Sequence, residues 1–282
     1  MVKLNKFRLK EESRPKTAFY ASDYGKPALD LYFGLRGTPK TNPPQWYDVL
    51  KMSAGSGAEE TLLQTLKDSG FVDEYYDQDW DGRVDFTREG VEIHGYMDAV
   101  TLDGEPVEIK TINNKNNFDI RRYSMNEPRE NYVGQLAIYL DYLNTDRGWL
   151  LVCSIDGLHR FLFECVRLDG KRFKCGEVVV DLENEYKRWS SIYQTFLTND
   201  SAKKQEYLWE LRYKYPLEEI DWKTVGKTKI VKARNNQAVI GDWQVQYSNW
   251  KDLIIKLQGT APGYSIEEIN KIKEYTAGYT NW

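Results

Sequence analysis

Asp98, Glu108 and Lys110 are the residues of this chain whose types and spacing point most directly to chemistry. Glu108 and Lys110 are two apart, so on a strand they emerge from one face. Asp98 lies near the end of the preceding run of alternating residues, and Asp103-Gly104 between them is a two-residue hairpin signal. Such a turn carries Asp98 to the same face. Two carboxylates converging beside a lysine suit a hard divalent cation, and the Ile109 carbonyl is a further oxygen in reach. Phosphodiester hydrolysis uses that set: the metal polarises a phosphoryl oxygen and acidifies a bound water, and the lysine orients or activates the nucleophile. Taken alone, Glu-x-Lys on a strand reads far more readily as an exposed cross-strand ion pair, because the tripeptide is common.

Three other residues change that balance. Glu59 stands three and four positions before Leu62 and Leu63, on the helix face turned to the core. A carboxylate there is costly unless it is paired or holds a metal; Glu60 is off that stripe and reads as solvated. Downstream, Gln135 and Tyr139 are four apart among apolar residues on one helix face. They suit a nucleotide phosphate or a metal-bound water, and equally an ordinary half-buried helix.

The elements that must position these residues follow from punctuation and period. Prolines 15, 27, 39, 43 and 44 break residues 1–50 into turns. Gly55-Ser56-Gly57 opens a helix carrying Leu62, Leu63 and Leu66 on one face, and Gly70 closes it. Strands are expected at Val84–Phe86, Val91–Val100 and Pro106–Lys110, then a polar, basic loop, then a helix over about 128–144. Trp149–Cys153 and His159–Cys165 form a second hairpin around Asp156-Gly157, and 180–215 reads as helical. Ser265 and Glu268 make a capping box for a last helix. The sum is an α/β class fold: a mixed central sheet flanked by helices, with a helical or mixed C-terminal extension. It is read as one domain with a core at about 50–180, around which 1–50 and 181–282 pack together.

Composition narrows the function. A net charge of -4 argues against a general nucleic-acid coating protein, but a local track needs only a stripe. Lys115, Arg121 and Arg122, in the loop after the Glu108 strand, are placed for phosphate contacts. A second run, Lys223, Lys227, Lys229, Lys232 and Arg234, reads more readily as a solvated face. Twenty Tyr and nine Trp supply core packing first, with stacking on unpaired bases as a further use. There is no apolar run long enough for a membrane span and no secretory h-region, so a cytoplasmic protein is expected. Cys153, Cys165 and Cys175 read as buried or incidental thiols of a reducing compartment. A phosphate-cradling glycine loop and a nucleophile elbow are both missing from the sequence, which weighs against a small-molecule enzyme.

In order, Gly55-x-x-x-Glu59, Gly95-Tyr96-Met97-Asp98, Glu108-Ile109-Lys110-Thr111 and Gln135-x-x-x-Tyr139 resemble the PD-(D/E)XK nuclease superfamily. The RecB-like exonuclease branch is the most similar, with its CRISPR-associated adaptation nucleases and phage relatives, over about 55–155. The resemblance implies a restriction-endonuclease-like core and Mg²⁺- or Mn²⁺-dependent cleavage of DNA, often from single-stranded ends. It implies metal ligation by Asp98 and Glu108, service to the nucleophile by Lys110, and an accessory motif in Gln135 and Tyr139. Where many members carry histidine this chain has Glu59, a harder ligand suited to Mg²⁺. Several members also hold an iron–sulfur cluster on one early and three late cysteines. Here Pro27, Val245, Ser248 and Ile254 occupy those places, and none ligates iron as a thiolate does. The expectation is therefore no cluster, with Trp243, Tyr247 and Trp250 packing on the early segment 22–27 in its stead. Exonuclease action on DNA ends leads, ahead of an endonuclease on the same core and of a nucleic-acid-binding or assembly protein on a nuclease scaffold.

Overall fold

A computed structural model describes residues 14–75, 80–113, 117–210, 227–235, 245, 247–258 and 264–279. Among these, Lys16–Lys26 and Pro44–Tyr193 belong to one compact unit, and Pro27–Pro43 with the residues from Gln194 onward belong to a second.

The described residues of the first unit form ten strands: β1 (Phe19–Tyr20), β2 (Val72–Tyr75), β3 (Arg83–Arg88), β4 (Val91–Tyr96), β5 (Ala99–Thr101), β6 (Pro106–Ile112), β7 (Arg147–Ser154), β8 (Arg160–Asp169), β9 (Arg172–Cys175) and β10 (Val178–Asp181). Seven of them form one sheet in the order β10-β9-β8-β7-β6-β5-β2, and β1-β4-β3 form another. In the larger sheet only β6 and β7 run parallel, from Val107 opposite Trp149 to Ile112 opposite Ser154. A parallel step needs a crossover. It is made here by α3 (Asn117–Ser124) and α4 (Glu130–Leu143). The mixed sheet flanked by helices is the class the sequence pattern predicts.

Strand β6 is central and buried on both faces, as such strands are. On one face Val107 and Ile109 join Leu63, Val72, Ala99 and Leu151 in an apolar cluster beneath α2 (Trp46–Asp68). Glu108 and Lys110 therefore point the other way, toward α4. That helix ends at Asn144, whose φ of 52° is the left-handed cap the sequence element needs. It also approaches Tyr24 so closely that a Cβ on Gly134 would lie 2.2 Å from the ring.

Four expectations change. The helix α2 begins at Trp46, nine residues ahead of Gly55, with Asp48 Oδ2 accepting from Gln45 N at 3.1 Å. Gly55 lies inside it for a packing reason: a Cβ there would sit 2.9 Å from Thr111 Oγ1. Gly70, with φ of 74°, does close the helix. Val91–Val100 is two strands in two sheets, separated at Met97-Asp98, where Met97 N donates to Gly82 O at 2.8 Å. Side-chain alternation runs through the break, so the sequence does not betray it. The next hairpin closes with three loop residues, Leu102 to Gly104, because Thr101 N donates to Glu105 O at 2.9 Å. Last, Arg121 and Arg122 stand on the helix α3 and not in a loop.

Among the described residues, the helices of the second unit are α1 (Ala28–Leu35), α6 (Ser201–Glu210), α7 (Lys227–Arg234), α8 (Lys251–Gln258) and α9 (Ile266–Tyr275), and the part of α5 (Leu182–Thr198) after Tyr193 belongs to it. The capping box of α9 forms as expected, Glu268 N donating to Ser265 Oγ at 3.1 Å. Trp250 is buried, donating Nε1 to Thr38 O at 2.9 Å with its ring 5.8 Å from that of Phe33. Those partners lie after the early segment 22–27 on which Trp250 is expected to pack, and Tyr247 is 82% exposed, which corrects the expectation for it. Trp243 lies outside the described residues. Ser248 Oγ donates to Asp30 Oδ1 at 2.7 Å, and Val245 and Ile254 are fully buried. Those three late positions are occupied by packing and a hydrogen bond.

Candidate active site

Three elements bring the predicted residues together. Asp98 sits in the two-residue break between β4 and β5, and its Oδ2 accepts from Ile109 N at 2.7 Å. That bond ties the break to β6 at the residue between Glu108 and Lys110. Glu108 is 0% exposed and its Oε1 is in contact with Lys110 Nζ. Oε2 of Glu108 is buried and has no hydrogen-bond partner, and the lysine contact does not give Oε1 a well-directed one. From α2, Glu59 Oε1 accepts from Thr111 Oγ1 at 3.2 Å. Glu60 is exposed, as expected.

From α4, Gln135 Nε2 donates to Tyr139 OH at 3.0 Å, and Tyr139 OH donates to Tyr96 O at 2.8 Å. Tyr139 is thus buried and spends its proton on the backbone two residues before Asp98. Gly95 makes room for the ring, since a Cβ there would meet Tyr139 Cε1 at 2.8 Å. Tyr132, one turn before Gln135, lies 5.7 Å from Lys110 Nζ, a cation over an aromatic face. Thr111 and Tyr132 were not singled out by residue type. The signal for Tyr132 was its place three and seven residues before Gln135 and Tyr139, on one helix face.

The electrostatics follow from this crowding. Burial pushes the Glu108 carboxyl up to about 8, and the Asp98 charge adds to it against the opposing effect of Lys110. Asp98 keeps some accessible surface yet is ringed by protein, and burial raises it to about 6 against Lys110 and the Ile109 N–H. Burial acts to lower Lys110, but Glu108 and Asp98 outweigh it and hold the ammonium above its ordinary value. Burial and the nearby Glu108 charge likewise raise Tyr139. Two carboxyls that resist ionisation, one with an unpartnered oxygen, form a set that a bound cation would satisfy. Among the described residues, no three His, Cys, Asp or Glu side chains form a ready-made metal shell. The donors that fit a hard dication are the Asp98 and Glu108 oxygens.

The predicted basic track is less gathered. Lys115 lies outside the described residues. Arg121 is exposed, whereas Arg122 is half-buried, donating to Pro128 O at 3.4 Å and covering the Phe118 ring. In the second run, Arg234 is committed to Thr276, its Nε donating to Oγ1 at 2.6 Å. Lys223 and the side chains of Lys227, Lys229 and Lys232 fall outside the description. All three cysteines are buried. No helix among the described residues is long and apolar enough to cross a membrane.

No family model matches the chain, and no curated protein matches it. Among solved structures it is similar to a protein named SSO0001, at 15% identity and a TM-score of 0.39, over 79% of this chain and 89% of that one. It is also similar to an alkaline exonuclease, LHK-Exo, from Laribacter hongkongensis, at 16% identity and a TM-score of 0.40, over 69% and 92%. The mixed sheet with helices on its faces is consistent with a restriction-endonuclease-like core.

Proposed function

We propose that this chain is a metal-dependent deoxyribonuclease of the RecB-like kind, hydrolysing phosphodiester bonds from DNA ends. One observation carries the reading: a fully buried Glu108 with an unpartnered oxygen, held beside Lys110 on β6 and near Asp98 in the break between β4 and β5. A buried carboxylate in that condition costs stability, and a structural role would have completed its bonds.

In this reading Asp98 and Glu108 hold Mg²⁺ or Mn²⁺, with Glu59 and the Ile109 carbonyl as further oxygens. When bound, that ion supplies Lewis-acid stabilisation of the phosphoryl oxygens and a more acidic water. The chain's own residues do the rest. Lys110, braced between Glu108 and the Tyr132 face, directs its ammonium at the nucleophile or the developing oxyanion. Gln135 and Tyr139 set the backbone at Tyr96 and so the angle at which Asp98 enters. Arg121 and Arg122, with Lys115, contact phosphates of the bound strand.

The test is incubation with Mg²⁺ or Mn²⁺ on end-labelled linear and closed circular DNA. Loss of linear DNA alone is expected; nicking of circles replaces the exonuclease reading with an endonuclease. Inertness toward both, or full activity in Lys110→Ala, overturns the proposal.

A further inference from the structure

Beside the candidate centre lies an open cleft of about 420 Å³, lined by Lys51, Met52, Gly55, Ser56 and Glu59 of α2 and by Thr111, Ile112, Asn113 and Ile155. Glu59 and Thr111 are bonded to each other and form part of its wall. Glu59 is also close enough for its charge to act on Asp98, Glu108 and Lys110.

Its lining mixes apolar side chains with polar ones, Ser56, Glu59, Thr111 and Asn113, and one cation, Lys51. Met52 and Ile155 are 54% and 45% exposed, apolar side chains left facing water at the cleft. Lys51 brings an ammonium to the rim, where its charge is shared with Asp48 at 3.6 Å and the Tyr47 ring at 5.2 Å. Gly55 gives the floor its depth, since any side chain there would press on Thr111. A volume of this order is at the small end of ligand sites. Apolar side chains set among polar groups, with one cation at the mouth, match an unpaired base with its edge atoms and phosphate, not a duplex, which has no unstacked base to insert.

We propose that this cleft is a subsite for one unpaired nucleotide of the strand being cut, its base between Met52 and Ile155 and its phosphate at Lys51. This rests on the nuclease reading and assigns within it a place for one nucleotide of the strand, built by Lys51, Met52 and Ile155. Neither apolar residue is placed in the catalytic set, so their loss acts on binding and not on the chemical step.

The experiment is steady-state hydrolysis of a 5′-labelled single-stranded oligodeoxythymidylate by the wild-type chain, Met52→Asp plus Ile155→Asp, and Lys51→Glu. Thermal melting checks that each variant is folded, and all three positions are exposed. The double variant is expected to raise KM at least tenfold with kcat within about twofold, and Lys51→Glu to raise KM several-fold. The same oligonucleotide carrying 4-thiothymidine is expected to photocrosslink to the peptides bearing Met52 or Ile155. Unchanged KM, a fall confined to kcat, or crosslinks only elsewhere overturns the subsite while wild-type cleavage upholds the nuclease. A wild-type chain that neither cuts nor binds the oligonucleotide overturns both.

Discussion

Two carboxylates that the first unit buries beside lysines, Asp23 and Glu108, are treated oppositely. Asp23, 1% exposed in the turn after β1, is bonded by Lys16 Nζ at 2.9 Å, Lys26 Nζ at 2.8 Å and Tyr20 N at 3.0 Å. Burial acts to raise its carboxyl, yet the two lysines and the backbone bond outweigh it and hold it below its ordinary value. Glu108 has one lysine, a second carboxylate for a neighbour and an oxygen without a partner, and its carboxyl is raised. Burial alone therefore does not mark a site. Incomplete satisfaction does: a group that only holds the fold is given its bonds, and a group kept for a ligand is left short of them.

The largest expected effect separates the two by activity. Lys110→Ala or Glu108→Ala should lower kcat by about 10²–10³-fold, the cost of removing one preorganised charge-stabilising group. Asp23→Asn should leave kcat per folded molecule unchanged. Parallel DNA-cleavage assays normalised to folded protein decide this, and equal losses would erase the distinction.

Stability should separate them next. Asp23→Asn weakens three bonds to a buried group, for about 1–3 kcal/mol, at the low end because Lys16 and Lys26 are 34% and 47% exposed and can turn to water. A shift of the urea midpoint toward lower denaturant measures it; no shift would mean those bonds are idle.

The pH dependence in EDTA should then show opposite limbs. Folded Asp98 and Glu108 hold protons to about 6 and about 8, whereas unfolded they release them near 3.8 and 4.5. The folded state binds more protons in that window, so their contribution is full below it and is lost as pH rises to about 8. Asp23 is lowered from 3.8, so its contribution is full above that value and is lost as pH falls through the folded one. Melting temperature against pH should lose part of its alkaline decline in Glu108→Gln and part of its acid decline in Asp23→Asn. Identical profiles in all three proteins would contradict the assignment of either group.

The smallest effect is expected at Gly55→Ala. Alanine favours the helix by about 0.5–1 kcal/mol, while its Cβ must push Thr111 Oγ1 off the Glu59 carboxylate. Stability should change by less than about 1 kcal/mol, and kcat should fall only several-fold. A hundredfold loss would give Glu59 a larger part than a further oxygen.

Much of this arrangement was legible. Glu108 and Lys110 share a face because a strand's period is two, and Asp103-Gly104 announced the hairpin that brings Asp98 near. The α4 stripe and the glycine closing α2 were equally plain. What escaped was set by tertiary contact. Three small residues in a row looked like the opening of a helix, yet Gly55 is small because Thr111 lies against it. The polar segment after β6 looked like a loop, although Tyr123 packs on Phe161 and Phe163 and Asp119 pairs with Arg129, which makes α3. Strands β9 and β10 are four residues each and too short to show a period.

The break at Met97-Asp98 has a consequence for how the chain tolerates insertions and deletions. In an uninterrupted strand, one residue added upstream would turn every later side chain to the opposite face. Here β4 answers to β3 and β1, while β5 answers to β6 and β2, and Asp98 is pinned separately by Ile109 N. A length change at the Glu89-Gly90 turn is therefore absorbed within the smaller sheet. The spacing between Asp98 and Glu108 is insulated from it, so the outer sheet is free to drift in length while the centre keeps its dimensions.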